Sequence, residues 1–171
     1  MSDEPDLDGR DVAHDTSEVV QVHLLAAPLV LLVRAREHHD GLMREFRVLA
    51  LSDQDAAPDA PRRLVELAEV LGRQLGAVGS RCDEEVDQAL GRGELVRDLH
   101  YDVGVGVVEA VRTLEALMTE ADAYCAAEKL MTVERPPLMK RFASWYLGQF
   151  VTQCAGGPAS PWDGPLSWVE D

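Results

Sequence analysis

The chain has 171 residues, of which 46% are hydrophobic and 27% are charged, so it holds enough apolar material for one packed core and is not globally disordered. It carries 16 Lys and Arg against 31 Asp and Glu, a formal net charge of −15. A surface this acidic repels phosphate groups, which excludes nucleic acid as an expected partner.

The N-terminal residues 1–17 are predicted to form a disordered acidic tail. The segment MSDEPDLDGRDVAHDTSE contains seven acids and one arginine, and it lacks the basic start and apolar core of a signal peptide. The most apolar run, residues 19–33, is interrupted by polar residues and a proline and is shorter than the roughly 20 apolar residues that span a bilayer. Three widely spaced cysteines are typical of reduced thiols. We therefore expect a cytoplasmic protein that does not contact a membrane.

Residues 18–157 are predicted to form a single helical domain. It opens with a strand at 19–25, where β-branched residues alternate with polar ones. Pro28 fits the first turn of a long amphipathic helix to about residue 51, with apolar residues at three- and four-residue steps. Residues 52–61 are rich in turn-forming residues, and a second helix is predicted at 62–77.

The second half repeats the order of strand and helix. A short acidic helix is predicted at 83–91 and a half-buried strand at 95–103, which can pair antiparallel with the first strand. The apolar seam of a long helix from Val107 predicts that it runs to about residue 131, and a last helix follows Pro137 and ends near Gly156. The expected fold is mainly α, within the α+β class, with about five helices and a two-stranded antiparallel ribbon.

The final residues 158–171 are predicted to be an extended tail that is partly docked on the domain. Trp162 is too apolar for a fully solvated segment, so it is the residue expected to dock. Trp145 and Tyr146 lie on the apolar face of the last helix, where aromatic residues are usually core. An outward-facing aromatic beside Trp162 would instead be a binding hot spot.

The densest polar cluster on a predicted helix supplies the remaining candidates for binding a partner or ligand. Adjacent histidines on a helix point about 100° apart, so they cannot easily share one metal ion. The spacing of a helical metalloprotease motif is missing too. We expect no metal, no cofactor and no catalytic residue; the structural alternative is a partly buried histidine beside a solvated salt-bridge face. The cluster consists of Arg34, His38, His39, Asp40, Arg44 and Glu45.

Several stretches resemble an uncharacterised family of high-GC actinobacterial proteins over roughly residues 19–166. They are RAREHHDGLMREFRVLAL, EVDQALGRGE, the HYDVG turn, EADAYC and RFASWYLGQFVTQCAGGPASPWDGPL. Members of that family are encoded near, or fused to, anti-sigma-type ATPases, STAS-domain antagonists and PP2C-type phosphatases. The resemblance implies a regulatory role in partner-switching signalling and assigns no catalytic residue. This chain lacks the motifs of the anti-sigma-type ATPase itself, so the resemblance implies a protein that works alongside that ATPase.

The leading functional prediction is a non-enzymatic cytoplasmic regulator that binds a protein partner, or a second copy of itself as a homodimer, through a helix face. Its acidity would steer it toward a basic surface. The first alternative is a small-molecule sensor with a pocket between the helices, lined by His38 or His39 and aromatic residues. The second alternative is a metal-dependent enzyme that uses Glu37, His38, Asp40 and Glu45.

Overall fold

The computed structural model describes residues 19–52, 82–104, 106–127, 131 and 134–166. Within these residues, four helices and a two-stranded antiparallel sheet form a mainly helical α+β fold, which confirms the predicted class. The loop predicted at 52–61 lies outside the described residues except for Ser52, which ends the first helix. The helix predicted at 62–77 and the acidic tail also lie outside the described residues. The elements are β1 (Val19–Pro28), α1 (Leu29–Ser52), α2 (82–91), β2 (Val96–Gly104), α3 (Val107–Ala126) and α4 (Pro137–Cys154).

Strands β1 and β2 pair antiparallel in the way the two alternating segments predicted. The register runs from Val19 opposite Gly104 to Leu24 opposite Leu99. Alternate residues of β2 are buried and exposed, because one face of the ribbon packs on the helices and the other meets solvent. A two-stranded ribbon is marginally stable by itself, so this packing is what holds it in place.

A β-bulge between Leu24 and Ala27 extends β1 beyond its predicted end. Ala26 adopts a positive φ of 53°, an uncommon conformation for a residue with a side chain. Its N–H donates a hydrogen bond of 2.7 Å to the carboxylate of Asp98. The bulge lets the chain stay paired as far as Pro28, which lies opposite Val96. Pro28 therefore ends the strand, and the prediction that it opens the helix was wrong.

Helix α3 ends at Ala126, five residues before its predicted end at residue 131. The backbone N–H of Ala127 closes the last turn on the carbonyl of Ala123. The chain must turn here because Arg135 returns to pair with Asp122 in the preceding helix. Local helix propensity through residue 131 is overridden by this contact.

None of the described helices combines the length and the apolar character needed to cross a membrane.

The hydrophobic core contains residues from every described helix and strand. The largest fully buried side chains lie on the inward face of the ribbon, on the first turn of α1 and on α2, α3 and α4. They are Val22, Leu24, Pro28, Leu29, Leu31, Val86, Leu99, Val111 and Phe142.

After α4, an extended segment folds back along that helix. Gly156 makes the reversal with a φ of 81°, which glycine adopts without strain. The Ser160 backbone N–H donates to the side-chain oxygen of Gln149 at 3.0 Å, and the Trp145 indole N–H donates to the Ser160 carbonyl at 3.1 Å. Trp162 then inserts against Leu31 and Phe142 and is 6% exposed.

A candidate ligand pocket between the helices

A partly open cavity of about 260 Å³ is lined by residues of α1, α2, β2, α3 and α4. The cavity lies where the face of α1 and the face of α3 both approach α4, so residues far apart in the chain form its walls. Most of the exposed lining is apolar, which is the usual character of a site for a small organic molecule. The apolar walls are formed by Leu32, Val86, Leu114, Met118, Phe142 and Leu147.

Two tyrosines line the cavity from β2 and α4. The ring centroids of Tyr101 and Tyr146 are 6.2 Å apart and nearly perpendicular, and the centroids of Phe142 and Tyr146 are 6.1 Å apart. Burial raises the pKa of Tyr101 far above its usual value and raises the pKa of Tyr146 to about 12. Both hydroxyls therefore stay protonated at neutral pH and serve as uncharged hydrogen-bonding groups.

The polar side of the cavity holds an ion pair and a histidine. The Arg36 guanidinium lies 2.6 Å from the carboxylate of Asp83 and 3.7 Å from that of Asp87, both on α2. Burial lowers the pKa of His39, an effect that neighbouring Asp40 opposes. His39 is therefore a neutral imidazole at pH 7, which can donate one hydrogen bond and accept another.

The structure places the nine sequence-predicted site residues in different environments. His39 and Tyr146 line the cavity, while Trp145 and Trp162 pack with Phe142 behind its wall. Glu45 accepts a hydrogen bond of 2.7 Å from the backbone N–H of Met131. Of the others on α1, Arg34, Asp40 and Arg44 are exposed, and His38 is partly buried.

His38 is not part of the cavity lining. Its Nε2 atom is buried and has no hydrogen-bond partner among the described residues. Burial lowers the pKa of His38, and the nearby positive charge of Arg135 lowers it further. The two adjacent histidines thus occupy separate environments, as their 100° separation on a helix requires.

A buried ion pair between α3 and the segment before α4 was not predicted. Arg135 is 6% exposed, and its guanidinium contacts both carboxylate oxygens of Asp122, with Nη2 at 2.8 Å from Oδ2. The Arg135 backbone N–H also donates to Asp122 at 3.2 Å. Lys140 pairs with Glu134 at 2.8 Å beside it. Both positive charges of this second, more polar cavity of about 370 Å³ are thus paired with carboxylates, so we assign the cluster a structural role.

Sequence reasoning also missed Tyr101, Asp83 and Met118 as pocket residues. The alternation of β2 does predict that Tyr101 is buried. It does not indicate which helices will pack on that face, because the helices come from distant parts of the chain. Asp83 precedes the apolar positions of α2 and gives no sequence signal of its pairing with Arg36.

The cavity offers binding chemistry: apolar contact, aromatic faces and neutral hydrogen-bonding groups. The described residues include no group of three or more His, Cys, Asp or Glu placed to hold a metal ion. Cys82, Cys125 and Cys154 are free thiols, and burial raises the pKa of each. A raised pKa keeps a thiol protonated and unreactive.

A comparison with protein-family models, with curated proteins and with solved structures finds no match to this chain.

Proposed function

We propose that the protein is a cytoplasmic, non-enzymatic sensor that binds a small, mostly apolar molecule in the pocket between its helices. The observation that carries this proposal is the 260 Å³ cavity, whose walls come from four helices and one strand. Ligand pockets of proteins are typically about 300–1,000 Å³, and this one lies slightly below that range, so it suits a ligand smaller than a drug-sized molecule. The sequence-based alternative of a pocket with His39 and aromatic residues thereby becomes the leading candidate.

Ligand binding would act through the same side chains that join the elements. Phe142 and Leu32 line the cavity, and both also pack in the cluster around Trp162. A ligand that binds only the folded protein stabilises it by RT ln(1 + [L]/Kd). Because the walls belong to five elements, that stabilisation would be shared by the helices, the ribbon and the docked C-terminal segment.

Native mass spectrometry of the purified protein, followed by a fragment screen read out by thermal unfolding, tests this function. Ala35 lines this cavity, so Ala35→Phe should fill it and abolish binding of any retained molecule or fragment hit. The matched control is Ala123→Phe, an exposed position on the lining of the other cavity, which should bind as wild type does. Wild-type protein that binds no fragment, or Ala35→Phe protein that binds as well as the control, would refute the sensor.

Binding of a protein partner is the second candidate, and the observation that favours it is the acidic surface. The whole chain has a net charge of −15, and α2 exposes three of its acidic residues, Glu84, Glu85 and Asp87. A basic partner surface would be steered toward this side at low ionic strength. The resemblance to companions of anti-sigma-type ATPases and STAS proteins gives the pull-down baits.

The partner proposal predicts a complex that weakens as salt is raised. Replacing both Glu84 and Glu85 by Gln should weaken the complex, whereas substitutions in the pocket should not. Native mass spectra of the same samples report whether the partner is a second copy of the chain. Failure to recover any of these complexes between low and moderate salt counts against the partner candidate.

A further inference from the structure

Resting on the proposed pocket, we infer that its ligand is a neutral aromatic molecule of one or two fused rings that places a hydrogen-bonding group against His39.

The size of the cavity sets the number of rings. An engineered protein cavity of about 150 Å³ accommodates benzene. The cavity here, at about 260 Å³, is larger than that but smaller than a typical drug-sized site. One to two fused rings therefore fill it, whereas a steroid or a dinucleotide does not fit.

The walls of the cavity favour a flat aromatic ligand over a branched aliphatic one. Tyr101, Phe142 and Tyr146 present ring faces and edges to the same space, and their mutual tilts of 86° and 42° allow edge-to-face contact with an inserted ring. The Met118 thioether lies in the same lining. A thioether near a ring edge adds a favourable contact with aromatic groups.

The charges around the cavity favour a neutral ligand. Arg36 and Asp83 are the two charged residues of the lining, and they pair with each other at 2.6 Å, so the lining carries no net charge. His39 carries no charge at pH 7, since burial lowers its pKa. A carboxylate or an ammonium group on the ligand would lose its hydration without gaining an unpaired counter-charge from the described lining. The hydroxyls of Tyr101 and Tyr146 already interact with each other, and that of Tyr101 also with Cys82, which leaves His39 to satisfy one polar atom of the ligand.

Ligand-observed NMR with indole and naphthalene as probes tests this inference. The two probes are similar in shape, but only indole has an N–H that His39 can accept. In the wild type we expect indole to bind more tightly than naphthalene, indole-3-carboxylate or tryptamine. His39→Leu should weaken indole binding about five-fold, the ratio corresponding to one neutral hydrogen bond, and leave naphthalene binding unchanged. His39→Gln, which can still accept a hydrogen bond, should restore most of the loss and controls for folding.

The outcomes separate the inference from the proposed function. Binding of indole and naphthalene that is equally insensitive to both His39 variants would overturn the role of His39 and leave the pocket in place. Tighter binding of indole-3-carboxylate or of tryptamine than of indole would overturn the neutral ligand. Absence of binding by every probe to the wild type would overturn the inference together with the pocket on which it rests.

Discussion

Individual buried ionisable side chains determine how the free energy of unfolding depends on pH. Asp122 illustrates the balance: burial alone would raise the pKa of its carboxyl, but hydrogen bonds and the positive charge of Arg135 outweigh burial and lower it. A carboxyl with a lowered pKa in the folded state contributes stability above the pKa of the unfolded chain and loses it as pH falls. The Asp122–Arg135 ion pair therefore stabilises the fold at neutral pH and loses this effect in acid.

Asp122→Asn should destabilise the protein by about 3 kcal/mol at pH 7, because it leaves the charge of Arg135 buried without a counter-charge. Unfolding in urea between pH 7 and pH 3 measures the difference from the wild type. The difference in stability between the variant and the wild type should shrink below about pH 4. There the wild-type carboxyl takes up a proton on unfolding, so the ion pair contributes less stability. Glu120→Gln, an exposed change on the same helix, is the control. A pH-independent difference between Asp122→Asn and wild type would contradict the assignment.

His38 should make the protein less stable in mild acid. Its pKa is lowered in the folded state, so the unfolded chain takes up a proton first as pH falls below about 6.5. His38→Leu removes this effect and also the buried Nε2 atom that has no partner among the described residues. We expect a gain of about 1 kcal/mol at pH 7 and a flatter stability profile between about pH 6.5 and pH 5. Thermal unfolding across that pH range measures the effect, with the exposed His100→Gln as the control. A steeper pH dependence of stability in His38→Leu than in the wild type would refute the prediction.

At the scale of the elements, a side chain of α4 binds the free edge of the β-ribbon, on the side of β1 that faces away from β2. The side-chain amide of Gln153 accepts a hydrogen bond of 2.9 Å from the His23 N–H and donates one of 2.8 Å to the His23 carbonyl. Both backbone groups point away from β2, so Gln153 satisfies the free edge of β1. The contact also fixes the position of the ribbon along α4.

Gln153→Met keeps the length of the side chain and removes both hydrogen bonds to His23, together with the bond of 3.1 Å that Gln153 donates to Gln149. We expect a loss of about 2 kcal/mol of stability, because two partly buried backbone groups lose their partner. Hydrogen exchange at the His23 amide should accelerate more than exchange at amides within α3. The neighbouring exposed change Thr152→Ala should have little effect on either quantity. Unchanged exchange at His23 in Gln153→Met would show that the ribbon does not need this contact.

At the scale of the whole molecule, the extended C-terminal segment closes one side of the core. Trp162 packs on Phe142 with ring centroids 5.6 Å apart, and its backbone N–H donates to the Leu25 carbonyl at 3.0 Å. Arg141 lies over the Trp162 ring at 5.3 Å and pairs with Asp163 at 2.8 Å. Because Phe142 also lines the pocket, the docked segment and the pocket share one wall.

Trp162→Ala should destabilise the protein by about 3–5 kcal/mol, the usual cost of removing a buried aromatic side chain. Urea denaturation measures the change, and Leu166→Ala, at a residue that is 41% exposed, is the matched control with a change below about 0.5 kcal/mol. In addition, any ligand that fills the pocket should bind more weakly to Trp162→Ala, because Phe142 loses its support. Equal stability of the two variants would mean that the segment is not part of the folded core.

The amino-acid sequence by itself determined the class of fold and most of the element boundaries of the described residues, because these follow from local periodicity. The alternation of Leu99, Tyr101 and Val103 predicted a half-buried strand, and Pro136 and Pro137 marked the start of α4. The sequence also predicts His39 and Tyr146 as binding residues, and both line the cavity. Trp162 was expected to dock because of its apolar surface.

Only the tertiary structure decided which of these residues meet. The pairing of Arg36 with Asp83, the approach of Tyr101 to Tyr146 and the return of Arg135 to Asp122 join residues that no periodicity relates. The bulge at Ala26 and the early end of α3 likewise depend on partners elsewhere in the chain. The physical reason is the same in each case: local sequence sets which face of an element is apolar, whereas the volume and charge of a pocket arise from how several such faces pack together.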